Sequence, residues 1–225
     1  ASMALKAARK GFIAFAFTHA DALMLSHNGT RPYFGTNPIC IAVPREEREP
    51  YCLDMASSIV SWNKVLIKKN SKTELIEGIA ADSNGNLTTD PDEATCLVPV
   101  GAYKGFGIAS MVDILCGIYT GMEFGRAIPS MYKAPMDEPR SLGQFYMVFR
   151  VDGVVNKSKF LSTMQAMSNE VRAEPSIDGE KVMMPGDPEV NTSKIRMKEG
   201  IPLDDATVDS FIELSKEHDV PLHLY

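Results

Sequence analysis

Residues 97–115 constrain this chain more than any other stretch. A short apolar run ends at Pro99 and Gly101, and a lone Lys104 stands just before Gly105 and Gly107. An apolar segment then runs from residue 106 to residue 119, interrupted after Gly107 only by Ser110, Asp113 and Gly117. Apolar side chains fall on nearly every face of the helical wheel, which predicts a buried helix. The first N–H groups of a buried helix need partners. Glycines at 105 and 107 let a ligand come close to the backbone, and Lys104 adds charge at the positive end of the helix dipole. That combination suits an anion such as the phosphates of a dinucleotide. A glycine-rich connection into a packed helix, with Lys104 in solvent, explains the same residues equally well.

The rest of the chain sets wide bounds. Its 225 residues carry a formal net charge of −6 and are 44% hydrophobic, a composition suited to one large or two small globular domains. The acidic balance and the lack of a basic stripe argue against nucleic acid as a partner. No apolar run is long enough for a membrane-spanning helix, and no secretory leader is apparent. Cys40, Cys52, Cys96 and Cys116 are far apart in sequence, in apolar settings, and show no metal-ligand spacing. Reduced, buried thiols in a cytoplasmic protein are the expectation, with no metal site.

Residues 1–11 read as the last turns of a helix stopped by Gly11, with basic residues in its last turn. The absence of a start signal leads us to expect that further residues belong upstream, in the same chain or in a second one. Residues 12–18 are apolar throughout and predict a strand buried on both faces. His19, Ala20 and Asp21 stand at its end, where strands facing a cleft carry binding groups. His19 is a candidate general base, although a single histidine without a visible partner is more often structural. Residues 35–38, Gly-Thr-Asn-Pro, form a turn into a strand at 39–43. The charged residues 45–49 read as an exposed connection, followed by a strand at 51–53. Asp54 ends that strand: it can accept from a ribose hydroxyl or cap a helix beginning near Ser58 and running over residues 59–69. Residues 121–140 predict a long ordered loop, residues 144–151 a strand, and residues 157–172 an amphipathic helix. A last helix from Asp204 or Asp205 is expected to bury Val208, Phe211 and Ile212. The chain is therefore mixed α/β, without a regular βαβ series.

Gly105-x-Gly107-x-Ala109 only partly echoes the Rossmann fingerprint, and no nucleophile elbow, P-loop or H-E-x-x-H is present. The residues alone thus lead to an anion site near Lys104 and to no reaction. Several segments together go further: residues 33–38 (Tyr-Phe-Gly-Thr-Asn-Pro), Asp54-Met55-Ala56-Ser57-Ser58, residues 99–114 around Lys104, and Pro185-Gly186. In that order they resemble the malate/L-lactate dehydrogenase family, whose members lack a Rossmann fold, and the resemblance covers essentially the whole chain. Ser130-Met131-Tyr132 and Leu142-Gly143-Gln144 are most similar to the ureidoglycolate-oxidising members.

The resemblance implies an α/β fold built on a largely antiparallel sheet with flanking helices. It implies a cofactor-binding sheet domain over residues 1–150, incomplete at its start, and a helical segment over 151–225 on the same core. NAD, or NADP, is the implied cofactor. Asp54, Met55 and Ala56 would hold its adenosine part, Lys104 would contact it, and Gly186, Asp187 and Pro188 would form the C-terminal cofactor loop. Ala20 falls where relatives have a contacting serine. The implied substrate is a small 2-hydroxy or 2-oxo acid, the implied assembly a homodimer, and the implied chemistry hydride transfer. The family's proton-transferring histidine and substrate-binding arginine belong upstream of residue 1, so no residue of this chain inherits a catalytic role. A non-catalytic, cofactor-binding piece is the competing expectation.

Overall fold

A computed structural model describes residues 1–47, 49–135 and 137–223. Arg48 of the charged connection and Met136 of the long loop lie outside them. Two compact units are formed, Ala1–Gly186 and Asp187–Tyr225.

The first unit is organised by two four-stranded sheets. In the first, β1 (Phe12–Thr18) lies between β4 (Ile39–Val43) and β8 (Gln144–Arg150), and β5 (Tyr51–Met55) is the edge strand beyond β4. Every pairing in this sheet is antiparallel. The second sheet orders β3 (Pro32–Phe34), β2 (Met24–Leu25), β7 (Cys96–Leu97) and β6 (Ala80–Ala81), with one parallel pairing between β2 and β7. The mixed α/β architecture with an antiparallel sheet is the one expected. Central placement of β1 follows from its apolar composition, although only Ala14 and Phe17 are fully buried and the other residues are half-buried.

Helix α1 (Ser2–Arg9) ends at Gly11, whose φ of +89° favours glycine, as the sequence predicts. It lays Ala4 and Ala8 on Ala14, Cys40, Ala42 and Cys52 of the first sheet. Small side chains on both surfaces allow that close approach. Helix α2 (Trp62–Asn70) packs through Val65 on Leu75, Ile79, Ala80, Ala94 and Leu97. It begins three residues later than the sequence suggests. Residues 57–59 are committed elsewhere: the Ser57 N–H donates to the Thr36 carbonyl and the Ile59 N–H to the Val98 carbonyl. Backbone spent on those bonds is unavailable to a helix.

Helix α3 (Tyr103–Asp113) runs into a π-helical turn, Ile114–Ile118. Burial all round the wheel is not what the fold gives it. Gly105, Ala109, Val112, Asp113 and Cys116 face inward, while Met111, Ile114, Ile118 and Tyr119 are exposed, Tyr119 by 74%. Composition records how apolar a helix is and not what is present to cover it. The long loop is ordered by Arg126, which donates to the Pro32 carbonyl, and by the Gly125 N–H, which donates to Asp113. Helix α4 (Lys157–Arg172) begins at Asn156, whose side chain accepts from the Ser158 and Lys159 N–H groups. The connection at 45–49 is less exposed than expected: Arg45 is buried and its Nε donates to the Glu49 carbonyl at 2.7 Å.

The second unit holds α5 (Asp187–Glu199) and α6 (Asp205–Glu217). Sequence reading missed α5, because its polar composition carries almost no apolar periodicity; Pro188 in its first turn is a helix-start signal that was available. Asp204 caps α6, accepting from the Thr207 N–H. Phe211 and Ile212 remain 40% and 37% exposed, against the expectation of burial. Among the described residues no helix is long and apolar enough to cross a membrane.

Candidate functional site

A short backbone ladder and one buried side chain connect the segments that carry the candidate residues. The first joins the segment after β5 to the segment before α3. The Ser57 N–H and Oγ both donate to the Thr36 carbonyl, the Val100 N–H donates to the Ser57 carbonyl, and residues 58 and 99 form an isolated bridge. Asp54, Met55 and Ala56 are thereby fixed to the strand that feeds Lys104. The second connection is the side chain of Asn37, fully buried at a φ of +32°. Its Oδ1 accepts from the Ala20 N–H, and its Nδ2 donates to the Ala109 carbonyl of α3 and to Asp113. The Gly-Thr-Asn-Pro turn therefore ties the residues after β1, the segment after β5 and the second half of α3 to one another.

Gly105 turns out to serve this junction and not a ligand. A Cβ there would stand 2.5 Å from the Ser57 carbonyl oxygen and 2.6 Å from both N and O of Val100. Gly107, by contrast, has nothing within 4 Å of its Cβ position. It is the glycine that leaves room for a bound group.

The start of α3 also differs from a bare N–H cradle. The Lys104 N–H donates to the Gly101 carbonyl, that of Gly105 to Val100, and that of Phe106 to Ala102. What this corner offers an anion is the exposed Lys104 side chain beside the open surface at Gly107. Both features fit an extended, negatively charged cofactor. Asp54 adds an acceptor: its side chain is 44% exposed. It caps no helix, since the N-cap of α2 is Ser61. Pro185 and Gly186 lie against β5, where the Cys52 N–H donates to the Pro185 carbonyl and a Cβ on Gly186 would come 3.2 Å from Cys52 N. Asp187 and Pro188 open α5 and belong to the second unit.

His19 is not available for proton transfer. It is 1% exposed. Its Nε2 accepts from the Gly143 N–H at 2.9 Å, so its proton resides on Nδ1, which faces Asp113 Oδ1 at 3.5 Å. Asp113 in turn accepts from Asn37 and Gly125. This network of buried polar groups holds the end of β1, α3 and the long loop together, and sequence reading did not foresee it because its members come from five separate segments. His27 is exposed, with its ring 6.0 Å from Tyr103.

Burial pushes His19 below its ordinary pKa, against the opposing pull of Asp113. A depressed histidine is neutral in the fold and takes up its proton more readily when unfolded. Its contribution is therefore complete above the unfolded value of ~6.5 and is lost as pH falls from there towards the folded value, by up to ~1.4 kcal/mol per pH unit. Thermal melts should show a steeper fall below that pH for the native protein than for His19→Gln, which keeps an acceptor for Gly143. Parallel pH profiles would rule the assignment out.

Beyond the end of β1 lies an open cavity of about 670 Å³. Asp21, Arg31, Arg126, Ser130, Lys133 and Glu138 are among its walls. The buried Asp21 carboxylate accepts from the Met131 N–H and pairs with Arg140, and the Arg126 guanidinium sits 5.0 Å over the Tyr33 ring. Its walls carry three cations, Arg31, Arg126 and Lys133, against two carboxylates, Asp21 and Glu138, a small positive excess that suits a small organic anion.

The family model described as malate/L-lactate dehydrogenase matches residues 1–211. The NAD-dependent ureidoglycolate dehydrogenase of Escherichia coli strain K12 is 32% identical over 201 residues, which is 89% of this chain and 57% of that protein. The NADP-dependent (2R)-3-sulfolactate dehydrogenase of Chromohalobacter salexigens is 39% identical over 144 residues, 63% of this chain and 43% of that one. The solved malate dehydrogenase of Pyrococcus horikoshii OT3 superposes with a TM-score of 0.85 at 27% identity, over 98% of this chain and 62% of its own. The chain thus spans a little over half the length of the first of these relatives. With a match over most of its length, the chain belongs to the malate/L-lactate dehydrogenase family.

Proposed function

We propose that this chain supplies the cofactor-binding part of an NAD(P)-dependent oxidoreductase that moves a hydride between nicotinamide and the carbinol carbon of a small 2-hydroxy acid. The observation that supports the reading is the junction made by Thr36, Asn37 and Ser57, whose hydrogen bonds tie Ala20 to the segment that follows Asp54-Met55-Ala56 and that segment to the residues leading into Lys104. A bound nicotinamide dinucleotide would supply the hydride chemistry, and the protein supplies position and charge. Lys104 would neutralise the phosphates, Asp54 would accept from a ribose hydroxyl, and Gly186 would close the loop beside β5. Ala20 contributes no side-chain hydrogen bond. Two units of this chain would form the homodimer through the exposed apolar face of α3. Four free, buried cysteines accord with a reducing, cytoplasmic setting.

Ureidoglycolate is the substrate we place first, with sulfolactate, L-malate and L-lactate next. Ser130 lies on the wall of the cationic cavity, and the segment 130–132 is the one that resembles the ureidoglycolate-oxidising enzymes. NADH formation should appear with ureidoglycolate when the upstream segment is supplied in cis or as a second chain. The 225 residues alone should give no useful turnover, because His19 is locked in the interior and a missing general base costs about 10²–10⁴-fold. Full turnover by these residues alone would overturn the assignment of the proton carrier.

The same reading fixes an expectation for Lys104. Lys104→Ala should weaken NADH binding in a fluorescence titration while the melting temperature of the apo-protein stays put, since the exposed ammonium packs against little. Unchanged NADH affinity would remove Lys104 from the site.

A further inference from the structure

The cofactor-proximal edge of the first sheet carries a pair of thiols that the proposed reaction does not use. Cys40 of β4 and Cys52 of β5 have their sulfurs 3.9 Å apart. In the register of these strands Cys40 faces Asp54 and Ala42 faces Cys52, so the two cysteines are diagonal neighbours on one face. Asp54 lies on the same face, two residues from Cys52 and directly across from Cys40. The other two cysteines lack such a neighbour: the Cys96 thiol donates to the Ala81 carbonyl, and Cys116 packs on Phe17 and Val112.

We propose that Cys40 and Cys52 form a reversible intrachain disulfide under peroxide, and that closing it misplaces Asp54 and loosens the cofactor. The effect on the cofactor rests on the function proposed above, whereas the disulfide does not. The Cys40 thiolate attacks one peroxide oxygen, the O–O bond breaks, and water leaves with the released proton, giving a sulfenic acid. Cys52 sulfur then attacks the Cys40 sulfur, the S–O bond breaks, and a second water departs. Two thiols are oxidised by two electrons and one peroxide is reduced to two waters.

The site is prepared for the first step. The Cys40 thiol is lowered, chiefly by its hydrogen bond with Cys52 and against the opposing effect of burial. Cys52 is raised by the same bond and by burial, which leaves it as the proton donor of the pair. Both sulfurs are buried beneath Ala4 and Ala8 of α1, so peroxide reaches them through local opening, which costs less than global unfolding.

Diagonal neighbours stand about 7–8 Å apart at Cα, beyond the ~4.4–6.8 Å that a relaxed disulfide spans. Closure therefore has to draw β5 across β4. The bond from the Cys52 N–H to the Pro185 carbonyl, the contact with Gly186 and the position of Asp54 all depend on where β5 lies. A bond that needs such movement is readily reduced again.

The test is peroxide treatment, alkylation of the remaining thiols after denaturation, and peptide mapping. A Cys40–Cys52 cross-linked peptide is expected, abolished by dithiothreitol, with Cys96 and Cys116 still alkylated. Oxidised protein should bind NADH about tenfold more weakly, the scale of one misplaced hydrogen bond to a charged group, and should recover on reduction. Cys40→Ala and Cys52→Ala sit in a core already built of alanines and should bind NADH normally before and after peroxide. Recovery of all four thiols, or capture of Cys40 as a sulfinic acid beside a free Cys52, overturns the disulfide. A cross-link that leaves NADH affinity unchanged overturns its effect on the cofactor. Failure of the reduced protein to bind NADH would instead count against the proposed function.

Discussion

Gly105→Ala should destabilise the protein by about 2–3 kcal/mol, the upper range for forcing extra volume into a packed interior. Its Cβ would meet three backbone atoms, the Ser57 carbonyl oxygen and both N and O of Val100, all within 2.6 Å. Backbone atoms cannot rotate aside as a side chain does. Relief requires that α3 lift from the ladder joining residues 57–59 to residues 98–100, and those residues also position Asp54 and Lys104. NADH affinity should therefore fall together with stability. Gly107→Ala provides the contrast. It meets open space, and in a helix interior alanine is better than glycine by about 0.8–1.0 kcal/mol, so the apo-protein should become more stable. If the cofactor lies against this glycine, the same change weakens NADH binding. Urea melts with and without NADH read both quantities. A Gly105→Ala protein as stable as the native one would show that the junction is looser than its geometry implies.

These two glycines mark where sequence reading succeeds and where it stops. The local signals for α1, β1, β4, β8 and α4 suffice to place those elements, and Lys104 between glycine-containing steps stands, as the sequence suggests, at the start of a helix. Which glycine admits a ligand and which admits the protein's own backbone depends on where Ser57 comes to lie, about fifty residues away in sequence. Asn37 illustrates the same limit. Gly-Thr-Asn-Pro announces a turn through local chemistry, but the work of its asparagine, holding Ala20 and Ala109 at once, is tertiary. The buried group of His19, Asp113, Asn37 and Gly143 has no spacing that betrays it. The apolar segment 106–119 is misjudged for a related reason: a hydrophobic wheel reports demand for burial, and the exposed Ile114 and Ile118 show that the first unit does not meet that demand.

Asp54→Ala should raise the Kd for NADH by about one to two powers of ten, equivalent to ~1.5–3 kcal/mol for a hydrogen bond to a charged group. The competing role, capping a helix, would instead predict a loss of ~1 kcal/mol in stability with no change in affinity. Geometry separates them. Asp54 lies within β5, and the N-cap of α2 is Ser61. The Asp54 side chain is 44% exposed, so removing the carboxylate should change stability by no more than ~1 kcal/mol. The variant's apo-protein should then melt close to the native one, while NADH should raise its melting temperature far less. Asp54→Asn sharpens the result, because it keeps an acceptor and removes the charge; its affinity should fall between the native protein and Asp54→Ala. Equal losses for both variants would mean that charge alone matters at this position. A lower apo melting temperature with native NADH affinity would assign Asp54 to the fold and leave the ribose without its acceptor.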